Sequence, residues 1–364
     1  MKSRELGGIA LSVFLMSGVV CGAAACNGDI TGGRGDDGGD DDGGAVTLAF
    51  VTPSAGATFE RDALEPELGW RAATVDVEMA LSDSGDSTAT IELAVGDVAL
   101  GAIDASGRGS AVLIESGAVT LTATARDAGG AALATATVDV MVGDPTIATC
   151  REWLTKYGIT YTAGPMNPGV PDPVTVTTPI NGMPFRYSGN ANVRATFFMD
   201  CSLARSLVLA APHMRSRGVV EVTDIGVYNY RCIGGVGTPP DCPNGISQHA
   251  YAKGIDLAGF KDTAGTFYSV NDDWVIDPST EKTCEAATSN EKDAFLHDLI
   301  CALKGDKVWN IVLTPNYNAD HRNHFHVDMT TGSDFIRKPT HGGDQPTGVP
   351  LDGHYDIDRG PDLH

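Results

Sequence analysis

The sequence predicts a multi-domain chain: an all-β sandwich over residues 45–144, followed by an α+β domain over 145–337 that carries a metal site. Three observations predict this. The first region is rich in Val, Ala and Thr, set in short runs that alternate apolar and polar residues between turn signals. The second mixes helical and strand periodicities and holds six of the eight cysteines. Near its end, three of the nine histidines, His321, His324 and His326, fall within six residues.

Taken in order, residues 1–25 begin with Lys2 and Arg4, continue with an apolar run from Ile9 to Val20 and end in small residues. This is the pattern of an export signal, too short for a stable membrane span. Ala23-Ala24-Ala25-Cys26 resembles a bacterial lipoprotein processing site, which would make Cys26 the lipid-bearing residue and tie the protein to a membrane through that anchor only. Residues 26–44 are mostly Gly and Asp, cannot bury a core and read as a solvated linker. Runs at 75–79, 88–95, 119–125 and 134–142, separated by turns such as Ser82-Asp83-Ser84-Gly85, predict the strands of the sandwich. Their pattern resembles immunoglobulin-like modules of bacterial surface proteins, here without a cysteine pair.

In the second region, Thr149 and Glu152 have the spacing of a capping box, predicting a helix over 149–157. A second helix is expected over 202–211, ending near Pro212, and a strand over 219–227. Strands are predicted at 254–260 and, after a Gly-containing turn, at 267–276. Residues 290–303 give the clearest helix, capped by Asn290, with Phe295, Leu299, Ile300 and Leu303 on one face. His297, on that helix, receives no functional reading. Strands at 308–313 and 323–329 follow, and residues 338–364 read as a disordered tail.

The chemistry concentrates in two of these segments. In a strand over 323–329, His324, His326 and Asp328 share one face while Phe325 and Val327 point to a core. Upstream, Ser247-Gln248-His249 and Asp256 supply a His-x6-Asp pair. Catalytic zinc takes three protein ligands and keeps a fourth position for water, so His249, Asp256 and His326 are the expected metal ligands. His324 is the first choice for the general base. His321 is expected to polarise a carbonyl or stabilise an oxyanion. No Glu lies next to His326 to act as base.

Residues from about Cys201 to Met329 resemble the extensin-like C-terminal domain family, through Tyr230-Arg231-Cys232, Ser247-Gln248-His249 to Asp256, Asp273-Trp274 and Asp320 to Asp328. That family in turn resembles the zinc peptidases of the hedgehog/DD-peptidase fold, and the His-x2-His-x-His spacing is especially similar to penicillin-insensitive murein endopeptidase. The resemblance implies Zn²⁺ on His249, Asp256 and His326, active-site roles for His321 and His324, and peptidoglycan stem or cross-link peptides as substrate. It also implies substrate contact by Tyr230 and Arg231, whose guanidinium can fork onto a carboxylate. Two positions depart from the carboxypeptidase branch: Ala252 stands where that branch has Gly, and Asn323 where it has Glu.

Composition limits the alternatives. A formal charge of −22 excludes a nucleic-acid partner, which requires a basic face. Beyond Cys21 and Cys26, six cysteines remain, an even set that in an exported chain implies disulfides and allows 15 pairings. Cys232 with Cys242 and Cys284 with Cys301 are the expected near-neighbour bridges. The expectation is therefore a zinc metallopeptidase of the bacterial envelope, periplasmic or at the outer membrane. The rival is a non-catalytic lipoprotein that keeps the peptidase fold to bind wall peptide or a partner.

Overall fold

In the computed structural model, the described residues are 46–82, 90–104, 106–276 and 283–337. The expected export signal, Cys26, the 26–44 linker and the 338–364 tail lie outside them. The first layer pair is all β. Strand Arg71–Ser82 pairs with Thr47–Thr52, Ala63–Leu64 and Arg108–Leu113. A second sheet orders Thr58–Glu60, Ala132–Gly143, Gly117–Arg126, Thr90–Val95 and Val98–Ile103. Alternation within each strand sends Val75, Val77, Leu93, Leu121, Ala123 and Val140 into one shared core.

The second region builds a separate core. A three-stranded sheet (Tyr161–Ala163, Pro173–Thr177, Thr196–Asp200) lies beside a seven-stranded one. In the larger sheet the order is Phe185–Tyr187, Val219–Gly226, Gly254–Asp262, Phe325–Asp328, Ile311–Leu313 and Phe335–Arg337, with Phe267–Ser269 also paired to Gly254–Asp262. Helix Cys150–Lys156 starts with the expected capping box: Thr149 Oγ1 accepts from Glu152 N at 3.3 Å and Glu152 accepts from Thr149 N at 3.0 Å. Helix Glu291–Gly305 is capped by Asn290. Its Phe295 stacks on Tyr268 and its His297 on Trp274, each at 3.8 Å, and Trp274 meets Phe325 edge-on at 5.1 Å. His297 is thus a packing residue behind the strand that carries His326.

Two local expectations are corrected. The helix from Cys201 continues through Pro212 to Arg215. Proline has no N–H to give the carbonyl four residues back, but Asn181 Nδ2 donates to that carbonyl, Val208 O, at 2.9 Å and so supplies the missing partner. The 267–276 strand stops at Ser269, whose hydroxyl accepts from Asp272 N and caps the short helix Val270–Asp273. Ser, Asn and Asp compete for local backbone bonds and break strands in this way.

The sandwich and the second region fall in one compact unit and touch directly. Tyr157 Oη donates to Arg61 O at 2.6 Å, Asn181 Nδ2 also donates to Gly69 O at 2.9 Å, and Trp70 meets His213 edge-on at 4.7 Å. Both near-neighbour disulfides form, Cys232–Cys242 and Cys284–Cys301, and Cys150–Cys201 ties the first helix of the second region to the second.

Removing Cys150–Cys201, with a separation of 51 residues, is expected to destabilise more than removing Cys232–Cys242, with 10. Loop closure gives about 4 against about 2.7 kcal/mol, read by denaturant unfolding of the paired Cys→Ala variants. Asn181 sits at φ +46°, so Asn181→Gly keeps the turn and deletes only the amide's bonds. A loss of about 2 kcal/mol is expected, and no loss would mean the bonds to Val208 and Gly69 carry nothing.

Candidate metal centre

Strand pairing joins two of the three expected ligands. Gly254–Asp262 runs antiparallel to Phe325–Asp328 with Asp256 directly opposite His326. Opposed residues project from the same face with Cβ atoms about 5 Å apart. Gly254 leaves them room, since a Cβ there would lie 3.0 Å from His326 Cε1 and crowd that ring. His249 arrives from the preceding loop, where its carbonyl accepts from Asn229 N at 3.0 Å and Ala252 N at 3.1 Å. Ala252 closes that turn at φ +52°, the left-handed conformation that favours glycine. The departure from the carboxypeptidase pattern therefore keeps the turn and adds a buried methyl to it.

The donor atoms form a small triangle. His326 Nδ1 lies 2.9 Å from Asp256 Oδ1 and 3.1 Å from His249 Nε2, which lies 3.2 Å from Asp256 Oδ1. Hydrogen bonds on the far side of each ring fix the tautomers. His249 Nδ1 lies 2.7 Å from Val227 O and His326 Nε2 lies 3.1 Å from Asp328 Oδ2. Each of those nitrogens donates its proton outward, which leaves His249 Nε2 and His326 Nδ1 as bare lone pairs facing each other and a carboxylate oxygen. Three acceptors at this separation repel unless a cation sits among them. Tetrahedral bonding at about 2.0–2.1 Å spaces donor atoms by about 3.3 Å, close to the observed edges. The residues therefore fit a small divalent ion, and the outward bonds to a carbonyl and a carboxylate are the usual support of metal-bound histidines.

Electrostatics agree. Burial disfavours charge on His326, but Asp256 and Asp328 outweigh it and hold its pKa up to about 10. Burial likewise opposes the Asp256 carboxylate, yet His249 and His326 hold it well below the usual range. In the metal-free state a proton takes the place of the cation.

His324 and His321 stand beside the triangle. His324 Nδ1 is 2.8 Å from the Asn323 side-chain oxygen, so its Nε2 lone pair faces Asp256 Oδ1 at 3.4 Å. Burial, together with the neighbouring rings and Arg231, lowers its pKa, although Asp256 opposes this. His321 Nδ1 donates to Asn318 Oδ1 at 2.6 Å, and its ring centre is 5.2 Å from that of His324 and 5.8 Å from that of His326. Burial and the adjacent histidines push its pKa down to about 3. In that neutral tautomer His321 offers a lone pair and no proton, so its geometry suits accepting a hydrogen bond better than stabilising an oxyanion.

A cavity of 680 Å³ opens on His249 and Asp256 and is also lined by Arg231. Arg231 Nε is buried without a hydrogen-bond partner. Tyr230 is not among the lining residues. It is 39% exposed, and its ring packs over Gly169, where a Cβ would lie 3.1 Å from Cε2. The sequence put Asp328 on the His326 face without giving it a role; the i, i+2 spacing on that strand was the available signal. Val227 O, Asn318 and the outward roles of Asn323 had no signal, because each depends on where a loop ends. Among the described residues, Cys150, Asp172 and Cys201 also bring donor atoms together, but the two sulfurs are joined in a disulfide.

Residues 148–337 match the family model described as extensin-like protein C-terminus. No curated protein matches the chain. Similar solved structures include the fibronectin(III)-like modules of Clostridium thermocellum CbhA, 17% identical over 28% of this chain and 99% of that one, TM-score 0.22. The endo-beta-1,4-mannanase of Thermotoga petrophila is 15% identical over 29% of this chain and 21% of that one, TM-score 0.22. The PKD domain of human KIAA0319 is 15% identical over 32% and 98%, TM-score 0.17. At such scores none of the three carries an argument about this chain.

Metal analysis of the purified protein is expected to give one divalent ion per chain, absent from His249→Ala. Asp328→Ala should keep the ion but bind it about 10–100-fold more weakly, because the His326 tautomer is no longer held. Equal affinity in Asp328→Ala and wild type would remove the supporting role of that carboxylate.

Proposed function

The chain belongs to the extensin-like protein C-terminus family over residues 148–337, and from that premise we propose that it is a zinc-dependent peptidase of the bacterial envelope. Its substrate is an amide bond in peptidoglycan stem or cross-link peptides. The observation that carries this reading is the convergence of His249, Asp256 and His326 lone pairs beside His324, at the wall of a cavity that also holds Arg231. Zinc held by this trio supplies Lewis acidity to a water or a carbonyl.

The chain's own side chains account for the rest. His324 is kept neutral by burial and has its Nδ1 proton committed to Asn323, so Nε2 is free to take the proton of an attacking water and later to pass it to the leaving amine. His321, held by Asn318, accepts a substrate N–H and orients the peptide. Arg231, which lines the cavity, carries a guanidinium able to fork onto a carboxylate of the substrate. Asn323, where the carboxypeptidase branch has Glu, cannot act as a base and instead fixes the ring that can. The disulfides and the N-terminal pattern fit an exported chain, with Cys26 as the lipid anchor.

The test is incubation of zinc-loaded protein with purified sacculi, followed by chromatography of released muropeptides, with a chelator control. Cleavage that stops with chelator is expected. His324→Ala should keep its zinc and lose about 10²–10⁴ in rate. If the zinc-loaded wild type releases nothing while still sedimenting with sacculi, the protein is a wall-binding module.

A further inference from the structure

The cavity that opens on the candidate metal centre is lined by two arginines that differ in their pairing. Arg231 keeps an unpartnered Nε. Arg194 is already neutralised: its Nε and Nη2 fork onto the two oxygens of Asp224 at 2.9 and 2.7 Å, and Asp224 is fully buried. The Arg194 guanidinium is sandwiched instead, 5.0 Å from the ring centre of Tyr187 and 4.3 Å from that of Phe197. Phe197 is buried, whereas Tyr187 is 38% exposed and lines the cavity. An exposed aromatic ring braced by a cation that is itself locked by a buried carboxylate is a rigid, flat platform.

The rest of that wall narrows the ligand. Asn190 and Asn229 are exposed and line the same cavity. The cation beside Tyr187 is Arg194, and because Asp224 already pairs it, it is not free to recruit an anion to that ring. A purely apolar group would leave the two amides unmatched. A pyranose ring has an apolar C–H face for the electron-rich face of Tyr187 and a rim of hydroxyl and amide groups for Asn190 and Asn229.

We infer that the Tyr187 platform is a subsite for a neutral sugar ring, an amino sugar with its nitrogen acylated, placed in the same cavity as the peptide to be cut. The inference rests on the peptidase reading only for the idea that the peptide substrate is attached to a glycan. It assigns Tyr187 as a substrate-binding residue, and Arg194 and Asp224 as the pair that positions it.

The probe is a peptide-free tetrasaccharide of N-acetylglucosamine, titrated calorimetrically into the full metal-loaded chain. Saturable binding is expected, weakened at least tenfold by Tyr187→Ala and to a smaller extent by Asn190→Ala, a rim change that leaves the sheet intact. Melting curves of both variants establish that they are folded. His249→Ala should bind the sugar as the wild type does while losing metal and hydrolysis. Absence of saturable binding to the wild type overturns the inference, as does unchanged affinity in folded Tyr187→Ala. Sugar binding by a protein that cleaves nothing supports the subsite and defeats the peptidase; cleavage without sugar binding does the reverse.

Discussion

Two histidine nitrogens and one carboxylate oxygen held about 3 Å apart are the constraint around which this site is arranged. Left alone, two imidazole nitrogens and a carboxylate oxygen in that geometry repel, and in a buried setting the repulsion is large. The fold holds them together from behind: Val227 O takes one ring proton and Asp328 takes the other. Those two bonds remove the tautomers that would relieve the strain. What remains is a group of donor atoms that fits a cation, whether a metal ion or a proton.

Holding such a cluster requires stiffness in the elements that carry it. Asp256 and His326 sit on paired strands inside a seven-stranded sheet, so neither can shift without disturbing a hydrogen-bond ladder. Behind the His326 strand, Phe325 is wedged by Trp274, which is in turn stacked on His297 of a helix. His249 is the exception, since it comes from a loop. Its carbonyl is bound twice, and the Cys232–Cys242 bridge closes the chain between Arg231 and that loop. The turn is tight enough that Ala252 adopts a conformation more natural to glycine.

The sandwich contributes in a different way. Its core is separate from that of the second region, yet Arg61, Gly69 and Trp70 make direct contacts with Tyr157, Asn181 and His213. Asn181 is the clearest link, because the same amide that satisfies Gly69 O also satisfies the carbonyl exposed by Pro212. A proline within a helix and a contact between the two regions are therefore served by one side chain.

Much of this was legible from the chain alone where the signal was local. The capping box at Thr149, the cap at Asn290, the alternating strands of the sandwich and the two short disulfides depend on residues near one another in sequence, and the structure has them where they were expected. The 308–313 strand, by contrast, is reduced to Ile311–Leu313. The candidate metal group of His249, Asp256 and His326 was also legible, because histidine is rare in this chain and its spacing on a strand fixes a common face. Tertiary structure decided the continuation through Pro212, the early end of the strand at Ser269, the outward partners that fix each tautomer, and the exclusion of Tyr230 from the cavity. The physical reason is common to the first three: a backbone or side-chain polar group chooses its conformation by where its hydrogen-bond partner lies, whereas Tyr230 is placed by the packing of its ring over Gly169. For Val208 O, His249 Nδ1 and His326 Nε2 that partner is set by packing and register, which sequence periodicity does not encode.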